Sequence, residues 1–133
     1  MNYRDEIKIE SLVGEVLTHI DVDEVENIIL LTTKSGRQIK IFHDQDCCES
    51  VSIETTEGNW DKLVGKVIEE ARQDEFYNLD PKPGEYAESW TRTNLIFRVN
   101  DQTVISKWIG ESNGYYSESV NIEEFRSRLT EGE

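Results

Sequence analysis

The stretch Asn27–His43, "NIILLTTKSGRQIKIFH", decides the fold class. Two segments that read as strands flank "KSG", a turn signal. In the second segment Ile39 and Ile41 alternate with Gln38 and Lys40. Successive side chains of a strand point to opposite faces, so this alternation predicts a hairpin with one face on a core. The plan returns later in the chain, where "TNLIFRV" and "TVISKWIG" flank "NDQ". There Val104, Ser106 and Trp108 alternate with Ile105, Lys107 and Ile109, which predicts a strand covered on both faces.

Around the two hairpins, short phrases recur in one order. "LVGEVL" (Leu12–Leu17) precedes the first hairpin and "ESVSIE" (Glu49–Glu54) follows it. "LVGKVI" (Leu63–Ile68) precedes the second and "ESVNIE" (Glu118–Glu123) follows it. Repeated order is the signature of an internal duplication. The expectation is one mainly β domain over residues 1–133, built from two related antiparallel units at about 12–54 and 63–123. Each unit would hold about four strands, with Gly14 and Gly65 opening the first of them and the ESVxIE phrase forming the last. One or two short helices are expected, at "NWDKLVG" and at "NIEEFRSRLT", where Ile122, Phe125 and Leu129 would share a face. Both prolines fall in "YNLDPKPGEYAES", residues 77–89, which reads as an irregular surface loop. Two such units would share a core, because a lone four-stranded sheet leaves a face uncovered.

Composition narrows the function classes. The net charge is −14, which repels phosphates and disfavours direct nucleic-acid binding. No apolar run approaches the ~20 residues that span a bilayer. The start, "MNYRDEIKIE", lacks the basic and apolar segments of a secretory signal. A cytoplasmic chain without membrane contact is the expectation. The only cysteines, Cys47 and Cys48, are adjacent. In an extended segment their side chains would diverge, so two unbridged thiols in a reducing cytosol are expected, one of them buried.

Two polar corners precede the ESVxIE phrases. "HDQDCCES" (His43–Ser50) gathers an imidazole, three carboxylates and both thiols. Its spacing is poor for zinc, which favours ligand pairs two to four residues apart, so no metal and no cofactor are expected. Its acids would raise a thiol pKa and weaken a nucleophile, so no catalytic residues are assigned. The corner reads as architecture, with Asp46 accepting backbone N–H groups and Cys47, Cys48 and Glu49 structural, as Gly14 and Gly65 are. The second corner, "WIGESNGYYS" (Trp108–Ser117), joins aromatic rings to polar groups, a composition suited to binding. Candidate binding residues are Trp108, Glu111, Asn113, Tyr115 and Tyr116, with His43, Asp44 and Asp46 from the first corner.

The two corners together resemble a family of small uncharacterised proteins, a domain of unknown function, encoded by bacteriophages and bacteria. Its members carry H-x-Q-D-C-C-E-x-V and later G-E-S-N-G-Y-Y-S-E. Here these are His43, Gln45, Asp46, Cys47, Cys48, Glu49 and Val51, then Gly110 to Glu118. The resemblance spans roughly residues 12 to 123 and implies a phage-related setting without a particular chemistry.

The expected function is non-enzymatic: an acidic accessory or anti-defence protein that blocks a host protein with a basic surface, such as a CRISPR effector or restriction enzyme. Acidic charge would speed association with such a partner. Self-association as a homodimer stays open. One alternative is a small-ligand binder for a nucleotide signal, with Arg92, Arg98 and Lys107 as the candidate phosphate contacts. Another is a thiol or metal enzyme at His43–Glu49.

Overall fold

The computed structural model describes residues 2–127. These residues form nine strands in two antiparallel sheets. The first sheet contains β1 (Asn2–Glu6), β2 (Leu17–Asp23), β3 (Ile28–Thr33), β4 (Gln38–Phe42) and β9 (Asn121–Ser127), in the order β1-β9-β4-β3-β2. The second contains β5 (Ser50–Glu57), β6 (Glu70–Tyr77), β7 (Ser89–Val99) and β8 (Gln102–Ser112), in the order β5-β8-β7-β6. The mainly β expectation is met.

Both hairpins form where the alternation places them. In the first, Ile29 faces Ile41 and Leu31 faces Ile39, and all four are buried. The turn closes with Gly36 at φ +97°, its N–H donating to the Thr33 carbonyl at 3.0 Å. In the second, Leu95 faces Ser106 and Phe97 faces Val104, on the same buried side as Trp108. Leu17, Ile29, Ile41, Leu95, Phe97 and Trp108, drawn from both sheets, belong to one hydrophobic core.

The halves are interlocked. β2, β3 and β4 form a meander, and the next strand, β5, crosses to pair with β8 in the other sheet. β6, β7 and β8 form the matching meander, and β9 crosses back to pair with β4. Each three-stranded meander is thus flanked by the last strand of the other half.

Two expectations about local structure are corrected. Gly14 and Gly65 do not open strands; each follows a 3-10 turn, Ile9–Leu12 and Trp60–Leu63, and sits at φ +92° and +84°. Positive φ is costly for side chains with a Cβ, so the glycine of LVG is a turn residue. The two turns meet, with Gly14 N–H donating to the Ile68 carbonyl at 2.8 Å and Gly65 N–H to that of Leu17 at 2.9 Å. The second 3-10 turn is the short helical turn expected at "NWDKLVG", capped by the Asn59 side chain.

The helix expected at "NIEEFRSRLT" is instead strand β9, and Leu129 lies outside the described residues. Ile122 and Glu124 are both buried and two residues apart, as on one face of a strand. A carboxylate at the second inward position disguised the alternation. Its charge is met by Arg37, whose Nε and Nη2 donate to Glu124 Oε1 at 3.1 and 2.8 Å.

Candidate functional site

The strand exchange brings the two polar corners together. The corner between β4 and β5 turns around one carboxylate. Glu49 is buried, and its Oε2 accepts from the Asp46 N–H at 2.8 Å while Oε1 accepts from the Cys47 N–H at 2.9 Å. His43 Nε2 donates to Glu49 Oε2 at 2.7 Å, and Nδ1 lies 2.7 Å from the Ser119 carbonyl. The His43 side chain is itself buried. Gln45 Nε2 donates to the carbonyls of Glu49 and Cys47 at 2.6 and 3.2 Å.

These donors hold the Glu49 carboxyl down to about 2 from the usual 4.5. The Asp46 amide is the largest cause, followed by His43 and the Cys47 amide, and burial opposes them.

The second corner has the same device. Glu118, the first residue of the second ESVxIE phrase, accepts from Thr91 Oγ1 at 2.8 Å and from Ser112 Oγ. Ser112 Oγ in turn accepts the Gly114 N–H at 2.9 Å. Asn113 Oδ1 accepts the Tyr115 N–H at 2.9 Å, and Gly114 lies at φ +92°. The repeated phrase therefore begins in each half with the carboxylate that ties its corner.

Ser50 pairs with Glu111 and Val51 with Gly110, which sets the corners side by side. Between them and the proline loop lies an open cleft of about 430 Å³. Its walls include Cys48, Ser50, Glu111, Ser112, Asn113 and Tyr116, closed by residues 84–88 of the loop. Glu85, Tyr86 and Glu88 come from that loop, whose irregularity was legible but whose position was not. No Lys or Arg lines the cleft.

Of the expected binding residues, Glu111, Asn113 and Tyr116 line the cleft. Tyr115 is exposed beside it and meets the Tyr116 ring edge-on at 5.0 Å. Trp108 is only 1% exposed, so it is a core residue and presents no binding surface. His43 is likewise sequestered, by Glu49 and Ser119. Asp44 and Asp46 are exposed outside the cleft.

The first corner differs from expectation in two further ways. The sulfurs of Cys47 and Cys48 are bonded to each other, and both residues are exposed. The expectation of two free thiols assumed an extended segment. The backbone bends at these residues, with the Cys47 amide turned onto Glu49, so the side chains do not diverge.

The carboxylate that holds the corner is Glu49, with the Asp46 side chain outside. Asp46→Ala should accordingly change stability by less than about 0.5 kcal/mol in a urea titration.

No group of three or more His, Cys, Asp or Glu residues is arranged to hold a metal among the described residues. No described helix is long and apolar enough to cross a membrane. No curated protein and no solved structure matches the chain. The family described as Domain of unknown function (DUF7448) matches residues 8–122, the span that holds both corners and strands β2 to β8, and the chain belongs to it.

Proposed function

We propose that the chain is a non-enzymatic binding protein that docks on a protein partner with a basic surface. One observation carries this reading: both motifs converge on a cleft walled by carboxylates and tyrosines. Glu85, Glu88 and Glu111 line it together with Tyr86 and Tyr116. A lysine or arginine side chain entering there would meet unpaired carboxylates for charged hydrogen bonds and ring faces for cation–π contact. The net charge of −14 would steer such a partner over longer range. The motif resemblance supports a phage-related setting, in which a basic, nucleic-acid-binding host defence protein is the partner class. The duplication expected from the repeated phrases is likewise a proposal, supported by the matched strand order of the halves.

The alternatives fit less well. A nucleotide needs cations near its phosphates, and the candidates are engaged elsewhere. Arg92 donates to the Leu79 carbonyl, Arg98 pairs with Glu69, and Lys107 pairs with Glu57. A thiol enzyme needs a base within reach of the nucleophile. His43 is instead held by Glu49 and Ser119.

The test uses the chain as bait, followed by reconstitution with the purified captured protein. The triple variant Glu85→Gln, Glu88→Gln, Glu111→Gln should bind at least about tenfold more weakly, with an unchanged melting temperature. Tyr116→Ala should weaken binding by a similar factor, as interface tyrosines do. Raising salt should narrow the gap between wild type and the triple variant. Full affinity in both variants, together with thermal stabilisation by a nucleotide, would defeat the reading.

A further inference from the structure

We infer that the Cys47–Cys48 pair is a thiol-exchange site that sets the shape of the cleft. This concerns regulation of the proposed binding surface and rests on that reading. The two bonded sulfurs lie on exposed residues, and Cys48 forms part of the cleft wall. The bonds that hold the surrounding corner do not involve sulfur. Glu49 binds the amides of Asp46 and Cys47, and Gln45 binds the carbonyls of Cys47 and Glu49. The ring formed by the adjacent cysteines can therefore open while the frame around it stays tied. Ring opening frees the Cys48 side chain to turn, and the wall it shares with Ser50 and Tyr116 changes.

The reaction needs a thiol reductant of the small-molecule class. Its thiolate attacks one sulfur, the Cys47–Cys48 bond breaks, and a mixed disulfide forms on the attacked residue. The other cysteine leaves as a thiolate and takes a proton. A second thiolate attacks the mixed disulfide and releases the oxidised reductant, and the freed cysteine takes another proton. In sum, two thiols become one disulfide, and two electrons and two protons pass to Cys47 and Cys48. The charge of the chain favours cationic thiols over anionic ones, because the approaching reductant crosses a negative field.

Amide NMR of the full chain tests this without a partner. Dithiothreitol should raise the intact mass by two hydrogens. It should shift the amides of residues 46–49 together with those of 84–88 and 111–116. The double variant Cys47→Ser, Cys48→Ser should show the reduced pattern and ignore the reductant; if it does not fold, Cys48→Ala serves in its place. Cysteamine should reduce the pair faster than glutathione at equal thiolate concentration and low salt. An unchanged mass, or shifts confined to residues 46–49, would overturn the inference. A full redox response with no partner docking at the cleft would instead defeat the proposed function alone.

Discussion

Replacing Glu49 by alanine should lower the melting temperature by more than about 10 °C. Three donors lose their acceptor at once: the Asp46 amide, the Cys47 amide and His43 Nε2. The side chain they address is fully buried, so water does not replace the carboxylate without rearrangement of the corner. Glu49→Gln should fall between the variant and wild type, since an amide oxygen still accepts but the NH2 group turns a donor towards donors. The same carboxylate gives a pH signature. Its pKa is about 2 in the folded chain against 4.5 ordinarily, so its contribution is fully present above about pH 4.5. That contribution is lost as pH falls from there through about 2. Denaturant titrations between pH 6 and 2 should show wild type losing stability faster than Glu49→Gln. Parallel curves would show that Glu49 is not the group that titrates.

Gly110→Ala should cost about 2–3 kcal/mol, the upper part of the roughly 1–3 kcal/mol range for forcing extra atoms into a packed site. A Cβ at Gly110 would stand 2.6 Å from the Glu118 carbonyl oxygen and 3.1 Å from Val51 Cγ2. The first neighbour is backbone, which has little freedom to yield. At Gly110 β8 touches both β5, through Val51, and the segment leading into β9, through Glu118, so displacement there moves both corners. Calorimetry should show the lowered transition, and amide shifts should spread to residues 49–51 and 117–119. A variant as stable as wild type would mean that the segment before β9 slides freely over β8.

The first hairpin was legible because the inward Ile39 and Ile41 alternate with the outward Gln38 and Lys40, and the second because its two apolar segments flank a turn signal, although the buried side includes Ser106 and the other face carries Ile105 and Ile109. β9 was not, because its second inward residue, Glu124, is charged and matched by Arg37 from a distant turn. That pairing has no local signature. The LVG glycines were visible as special, but their role depends on two turns far apart in the chain meeting each other. At the first corner, Asp44, Asp46 and Glu49 are chemically alike. Which of them turns inward follows from where β5 begins, and register is a tertiary property. The cleft was half legible. Its Glu111, Asn113 and Tyr116 stand in a recognisable phrase, whereas residues 84–88 reach it through a loop with no periodic pattern.

The exchange of β5 and β9 has a consequence for synthesis of the chain. As the first half leaves the ribosome, the outer edge of β4 has no neighbour until Asn121–Ser127 emerge. β5 waits in the same way for β8, more than forty residues behind it on the order of chain growth. Neither sheet closes on nascent chain from its own half, so folding is postponed until β9 has emerged. During that interval open strand edges are offered to other chains. The dispersed acids repel copies of the same chain over that window, so the acidity that would steer a basic partner also guards an unfinished fold.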